Sequence, residues 1–564
     1  MTTFDWLVLA LTLSSIVGYG LYKSRGTSTL QGYLLAGRRL RWYAVAFSIM
    51  ATQASAITFT STPGQAYADG MRFVQYYFGL PIAMVILSVT AVPLLRRLKV
   101  YTAYEYLEHR FDLKTRTLTS VIFMIQRGLG AGMTIYAPSL ILSVMLGWDA
   151  RITSAVIGGA IIIYTTTGGV KAVSWTHLQQ LTIVMLGMAV AFVVAVTLLP
   201  ADVSFTDALR VAGGMGRLNV VDFSFDWTNR YTFWSGIIGG MFVALAYFGT
   251  DQSQVQRYLT GESVTQSRLG LMANGLAKVP MQFFILLIGV MVFAFYQFVA
   301  PPVFFNPVEV QKIRTSAHAE RFAELEREHA AAHAEKAAAL RAYLESDDPE
   351  RSSGAAAGAL DRADRRSQAV RAEAIALIQQ NDPDSDPNDT NYVFLTFILN
   401  HLPVGVIGLL LACVFAASMS SGSGELSALA TTTVVDIYQR HIRRDASERR
   451  VMLVSRLAMA GWGLYGIFFA QFASRLGSLV EAVNILGSLF YGTMLGIFLL
   501  AFYVKRVGGT ATFAAAFVGE AVVLSFFAFT DISWLWYNVI GCAAVLCAAV
   551  TIQVLMPRPQ SSKA

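Results

Sequence analysis

The sequence predicts an all-α membrane protein, a bundle of about thirteen transmembrane helices. Three observations predict it: an apolar composition, apolar runs of bilayer length, and basic residues gathered in alternate loops. Of 564 residues, 55% are hydrophobic and 14% charged, with a mean hydropathy of +0.51, too apolar for a soluble chain that must solvate its own surface. Runs able to cross roughly 30 Å of hydrocarbon lie near 5–22, 42–66, 72–95, 117–146, 152–168, 172–199, 232–255, 270–300, 395–437, 450–473, 477–504, 509–530 and 532–556. The first, Trp6 to Tyr22, has no basic stretch before it and no small-residue cleavage site after it, so it reads as a retained span. Lys and Arg cluster at Arg38, Arg39 and Arg41, at Arg96, Arg97 and Lys99, at Lys171, at Arg257 and Arg268, from Arg440 to Arg450, and at Lys505 and Arg506. All these clusters fall on one side of the bundle. The positive-inside rule makes that side the cytoplasm of a bacterial inner membrane, with the N-terminus outside and the tail ending in Lys563 inside. The formal charge of +7 therefore records orientation and implies no nucleic-acid partner. Cys413, Cys542 and Cys547 all lie inside apolar runs as small hydrophobes.

Three segments follow: 1–300 with the first eight helices, 301–391 as a soluble insertion, and 392–564 with the last five helices and a short tail. The insertion is rich in Ala, Glu, Arg, Asp and His, and topology places it in the periplasm. Asn306-Pro307-Val308-Glu309 supplies an N-cap, a first-turn proline and a capping-box acid. Strong helix formers continue to Leu344, Ser352-Ser353-Gly354 breaks the helix, and a second helix runs from Ala359 to Gln379. Such a helical hairpin is either a solvated spacer or a partner-binding element.

The polar chemistry lies within the apolar runs. From Ala416 to Glu425, hydroxyls and small residues stand where lipid-facing leucines would be expected, with Ala417, Ser420 and Ser421 at i, i+3 and i+4. One carbonyl and two hydroxyls on one face provide oxygen ligands for a hard monovalent cation; close helix packing would use the same residues. Ala51-Thr52-Gln53-Ala54-Ser55-Ala56 is a second such stretch, followed by Pro63-Gly64 as a helix break. Broken helices with free carbonyls at membrane depth are how secondary transporters build ion sites. Arg127 lies near mid-bilayer, where a guanidinium costs at least about 3 kcal/mol, so it should face a cavity, an anion, or a partner such as Glu425 or Asp251. The planar guanidinium suits a carboxylate, and Gly128 and Gly130 leave room beside it.

Ala51 to Gly70, Gly168 to Thr176, Tyr247-Phe248-Gly249-Thr250-Asp251-Gln252, Val255-Gln256-Arg257-Tyr258, and the Ser420-Ser421 helix ending in Asp436-Ile437-Tyr438 resemble the sodium:solute symporter family over about 1–300 and 395–510. The resemblance implies a LeuT-like fold of two inverted five-helix repeats with flanking helices, for which a monomer suffices. It implies a sodium ion held by the carbonyls of Ala51, Ala54 and Ala417 and the hydroxyls of Ser420 and Ser421. It implies a solute cavity at Gln53, Thr58, Tyr76, Tyr77, Tyr247, Phe248, Lys278 and Asn484, which Arg127 joins on its own evidence. Many members carry an aspartate, tied to a second cation, where this chain has His177; Gln180 one turn on matches them. Neutral imidazole binds sodium poorly, so His177 and Gln180 mark a coupling or second-cation position that one sodium leaves unused. Sugar-transporting members have a glutamate at Tyr77 and an asparagine at Ala244. The stretches Tyr101 to Arg110, Tyr136-Ala137-Pro138-Ser139 and Arg217-Leu218-Asn219 look more like the monocarboxylate and multivitamin branch. The expectation is a sodium-coupled importer of a small carboxylate-bearing solute, working by alternating access. A sodium/sugar symporter and a transporter-like sensor are the alternatives. With no nucleophile–base set or phosphate loop in the sequence, an enzyme is not expected.

Overall fold

The computed structural model describes residues 1–24, 36–345, 355–473 and 477–556; within these, the side chains of 21, 23, 24, 36, 168–175, 345 and 355–357 are not described. The Ser352-Ser353-Gly354 break, Lys563 and the side chains of Gly168 to Trp175 therefore lie outside the described residues. Among the described residues, eleven helices are long and apolar enough to cross a membrane. One of these spans, Ala56–Leu98, takes in several consecutive helices, and a shorter apolar helix runs over Ser235–Gly249.

After α1 (Thr3–Ser24), the first interrupted crossing is α2 (Trp42–Gln53) followed by α3 (Ala56–Asp69). Its break falls at Ala54 and Ser55, whose ψ angles of 69° and 174° are not helical, whereas Pro63 sits inside α3. This corrects the expected break at Pro63-Gly64. Pro63 costs one backbone hydrogen bond but keeps the helix intact, and Gly64 serves packing: a Cβ there would meet the Thr390 carbonyl oxygen at 1.9 Å. The actual break is held by side-chain capture, the Thr58 hydroxyl donating to the Gln53 carbonyl at 3.0 Å. A 3₁₀ segment (Gly70–Tyr77) leads into α4 (Leu80–Val89) and α5 (Ala91–Leu98).

After the short α6 (Tyr104–Arg110), α7 (Leu113–Leu146) starts on Asp112, which accepts from Thr115 N–H at 2.9 Å. Helix α8 (Ala150–Thr197) covers two predicted spans. It is no straight rod: Tyr164 Oη lies 3.2 Å from Thr176 Oγ1, two positions that a straight helix would separate by about 18 Å. The helix thus bends between its two arms, 150–167 and 176–197.

Helix α9 (Phe205–Gly214), closed by a Ser204–Asp207 capping box, precedes the second interrupted crossing. That crossing is a π turn (Ser235–Gly239), α10 (Gly240–Gly249) and, past the break at Thr250-Asp251, α11 (Gln252–Leu259), where the Asp251 carboxylate accepts from Ser253 N–H at 2.8 Å. Helix α12 (Val264–Phe298) follows. The two halves of the core thus each contain a helix broken at membrane depth.

In the insertion, α13 (Pro307–Arg314) has the predicted Asn306 cap, whose side chain accepts from Val308 N–H at 3.1 Å. The box does not close, because Glu309 takes Lys312 as its partner at 2.8 Å. Helices α14 (Ala319–Glu345) and α15 (Ala355–Asn381) form the hairpin, with Phe322 and Leu325 packed on Val370, Ala374 and Ile378. The hairpin is not a free spacer. It docks on the rest of the chain through His333 Nε2, 2.9 Å from the Tyr296 carbonyl, and through Arg341, paired with Asp202 at 2.7 Å, while Arg371 ties the hairpin to the ends of the insertion at Asp389 and the Val303 carbonyl.

The predicted run at 395–437 divides into α16 (Thr390–His401) and α17 (Val406–Thr432). Pro403 forces Leu402 into an extended conformation, and Gly405 at φ 88° turns the chain into α17. The bundle closes with α18 (Glu448–Ala470), α19 (Leu479–Tyr503), α20 (Gly509–Phe529) and α21 (Trp534–Leu555).

Candidate solute cavity and cation site

A narrow gap lies where the α2–α3 break faces α8 and α17; Ala51, Ala54, Ala417, Ser420 and Gln180 line it together with Leu181 and Val184. The break interrupts the backbone ladder here. Ala54 N–H bonds the Met50 carbonyl at 2.9 Å and Thr58 Oγ1 takes the Gln53 carbonyl, but the helix does not continue past Ala51 and Ala54 to use theirs. Ser420 is 1% exposed and its hydroxyl has no hydrogen-bond partner among the described residues, which in a dry interior costs free energy unless something occupies the gap. Ser421 is placed differently: its hydroxyl donates to the Ala417 carbonyl at 3.0 Å and to that of Ser418 at 3.3 Å, and the residue lines the larger cavity next door. His177, on the Thr176–Thr197 arm of α8, is fully buried, its Nδ1 3.1 Å from Ser48 Oγ and its ring against the backbone of Ser48 and Ser420. It is a packed histidine joining α2, α8 and α17.

The larger cavity, about 960 Å³, lies at the centre of the bundle, and all nine expected solute residues line it: Gln53, Thr58, Tyr76, Tyr77, Arg127, Tyr247, Phe248, Lys278 and Asn484. Gly240 lets α10 close on the Tyr76 backbone, since a Cβ there would meet the Tyr76 carbonyl oxygen at 2.3 Å. Several of these side chains already have partners. Tyr76 Oη donates to Asn484 Oδ1 at 3.1 Å and Gln53 Nε2 to Asn274 Oδ1 at 3.1 Å. On the other wall Gln254 Nε2 donates to Tyr247 Oη at 2.7 Å.

The two cations of the cavity differ. Arg127 donates from Nη1 to Glu425 Oε1 at 3.0 Å, from Nη2 to Asp251 Oδ2 and, at 2.7 Å, to Tyr491 Oη; Tyr491 in turn donates to Asp251 Oδ2 at 3.0 Å. Its charge faces two buried carboxylates. Lys278 is 2% exposed, and its Nζ lies 5.6 Å from the Tyr77 ring centre with no ion pair or hydrogen bond to any described residue. Sequence reasoning named Glu425 and Asp251 only as possible partners of Arg127 and missed Tyr491 and Gln126, which join the cluster through a Gln126 Nε2–Tyr491 Oη bond of 3.2 Å. No local signal marks a tyrosine within an apolar run.

One end of the cavity is shut between α3 and α19. Ser478 Oγ donates to Gln65 Oε1 at 2.9 Å, and Ser61 Oγ accepts from Val480 N–H at 3.2 Å.

The sodium:solute symporter family model matches residues 33–323 and 370–519, leaving most of the hairpin unmatched. The sodium/sialic acid symporter NanT of Aliivibrio fischeri is 26% identical over 552 residues, 96% of this chain and 92% of that one. The human sodium-coupled monocarboxylate transporter 1 is 28% identical over 524 residues, 92% of this chain and 72% of that one. A solved substrate-bound, outward-open structure of a sodium-coupled sialic acid symporter superposes with a TM-score of 0.75 at 24% identity, over 99% of this chain and 98% of that one, and shows the LeuT-like fold. The protein is a multi-pass membrane transporter and not an enzyme, coupling to sodium the movement of a small solute: it belongs to the sodium:solute symporter family.

Proposed function

We propose that this symporter imports a small organic carboxylate together with one sodium ion, and that Lys278, rather than Arg127, meets the carboxylate. The observation that carries the reading is the contrast between the two cations. Arg127 is neutralised by Glu425 and Asp251, whereas Lys278 stands unpaired in the same cavity. A buried ammonium without a counter-ion is costly, and a solute carboxylate supplies one. The names of the relatives above, sialic acid and monocarboxylates, agree with this ligand class. Gln53, Thr58, Tyr76 and Asn484 offer hydroxyl and amide groups to the rest of the solute once their present contacts open, and Tyr77, Tyr247 and Phe248 offer ring faces.

Sodium sits in the small void, on the carbonyls of Ala51, Ala54 and Ala417 and the hydroxyl of Ser420, with Ser421 turning its oxygen in when the ion arrives. The ion ties α2 to α17, so its binding favours one state of the bundle, and solute binding couples to it through that shared state. His177 holds the helices together, and Gln180 lines the void without a charge. The basic clusters place the N-terminus and the hairpin outside a bacterial inner membrane and the far terminus in the cytoplasm. The Gln65–Ser478 contact is then the outer closure, and Tyr247 faces the inner one.

Uptake into proteoliposomes tests the reading, with labelled lactate, N-acetylneuraminate and glucose under an inward sodium gradient. Accumulation of a carboxylate but not of glucose is the expected result. Accumulation of glucose alone would move the assignment to sugars, and binding without flux would make the protein a sensor.

A further inference from the structure

A second chamber, about 890 Å³, lies outside the membrane core between the hairpin and the ends of α3 and α12. It is separate from the central cavity. Tyr67, on its floor, stands nine residues beyond Thr58 on α3, about 13 Å further along the helix and half a turn around it. Its roof comes from α14 and α15, where His329, His333, Lys336, Asp364, Ser367 and Gln368 fall between the two stretches that the family model matches and Arg371 falls within the second.

The lining is rich in donors. His329 is 4% exposed and its ring makes no hydrogen bond to any described residue; Tyr296 Oη and Arg217 Nε are likewise buried without partners among the described residues. Lys336 and Arg371 are paired, with Asp364 at 2.5 Å and Asp389 at 2.6 Å. Arg217 has no ion pair with any described residue: its guanidinium donates to the Ala68 carbonyl and lies 4.9 Å from the Phe293 ring centre, and Asp69 and Asp364 act on it only at longer range. The chamber therefore holds one surplus positive charge. The imidazole of His329 registers the field: burial, then Arg371, His333 and Lys336, lower its pKa to about 4. A neutral buried imidazole beside several cations is a donor waiting for an acceptor.

We propose that this chamber is a second binding site, which takes a small organic carboxylate on Arg217, His329 and Tyr296. It shares only its ligand class with the transport reading and does not depend on the central cavity. Arg217 and Met215 also line the open mouth beside Asp69 and Tyr231, which gives the ligand a way in. Arg217 reaches the transport path as well, because the carbonyl it holds belongs to the last turn of α3, the helix whose Gln65 contacts Ser478. Occupancy would compete for that guanidinium and so bear on the outer closure.

Cysteine protection in the full-length protein tests this, with Ser367→Cys as the reporter in the chamber wall and Cys547, the one exposed native cysteine among the described residues, replaced by Ala. The anionic reagent sulfonatoethyl methanethiosulfonate should modify the reporter at least about fivefold faster than its trimethylammonium analogue, as a positive chamber requires. Lactate or N-acetylneuraminate should slow that modification in sodium-free buffer, and Lys278→Gln should leave the protection intact. His329→Phe, which fills the chamber with a ring that cannot donate, should remove it. Equal rates for the two reagents, or protection that needs sodium and disappears with Lys278→Gln, would overturn the proposal. Protection by inorganic phosphate but by neither carboxylate would overturn the ligand class.

Discussion

The small void and the central cavity share a wall, the α2–α3 break and the middle of α17, yet they are built from opposite materials. The void has no charged residue. Its polar groups are backbone carbonyls freed by the break, the unpartnered Ser420 hydroxyl and the Gln180 amide. The cavity carries Arg127, Glu425 and Lys278 on its walls, with Asp251 behind, and most of that charge is already cancelled. Neutral oxygens suit an ion that must be bound and released each cycle, because a full carboxylate would hold it more tightly. The charges next door suit a scaffold: two carboxylates face the one guanidinium of Arg127, and Lys278 is the cation that has no ion pair or hydrogen bond to any described residue and can take the solute. The difference separates binding groups from bracing groups, and substitutions can test the division.

The largest effect should come from a brace. Arg127→Ala leaves Glu425 and Asp251 facing each other in a buried site, which costs about 3–5 kcal/mol, enough to lower the amount of folded transporter in a size-exclusion assay as well as its activity. Arg127→Ala that folds normally and loses only carboxylate affinity would return Arg127 to the solute. Lys278→Gln should do the reverse. The fold persists, since no protein partner is lost, and affinity for the carboxylate falls by about 50-fold, roughly the 2–3 kcal/mol of one charge-assisted hydrogen bond.

The two serines of α17 come next, and the structure ranks them. Ser420 presents an unpartnered hydroxyl to the void, whereas Ser421 already spends its proton on the Ala417 and Ser418 carbonyls. Ser420→Ala should raise the sodium concentration for half-maximal uptake by about tenfold, and Ser421→Ala by a smaller factor, on the scale of about 1 kcal/mol per lost oxygen ligand. Equal effects would mean that Ser421 turns fully into the site when the ion binds. Sodium affinity unchanged in both would remove the void from transport.

Much of this was legible in the chain itself because it is local. The polar stretches 51–56 and 416–425 stand out against apolar surroundings, and the spacing of Ala417 and Ser420 already puts them on one helix face. The break at Ala54-Ser55 was not legible. Pro63-Gly64 carries the stronger punctuation, but tertiary packing holds Pro63 inside α3, and a threonine hydroxyl five residues downstream captures the carbonyl that defines the true end of α2. The pairing of Arg127 could be named but not decided, since its partners lie 298 and 124 residues away and nothing near Arg127 in the chain says whether a carboxylate of the protein or of the solute will face it. The docked hairpin belongs with these: its charged surface reads as solvated until His333 and Arg341 are seen to reach Tyr296 and Asp202.

The smallest predicted change bears most directly on the comparison, because it converts a neutral site into a charged one. His177 lies one helical turn from Gln180, between the backbones of Ser48 and Ser420, with the buried Arg257 in electrostatic range. His177→Asp would put a carboxylate beside the void, where Arg257 at longer range offsets part of its charge and a second cation in the void would offset the rest. With one sodium and a monovalent carboxylate the transport cycle moves no net charge, so the unsubstituted protein should give no current on a solid-supported membrane when lactate is added, and a Hill coefficient for sodium near about 1. His177→Asp should bring a sodium-dependent current and a coefficient rising toward about 2. A current already present with His177 would mean that a second cation binds where no carboxylate helps it, and the division between a neutral ion site and a charged scaffold would have to be redrawn around the Arg127 cluster.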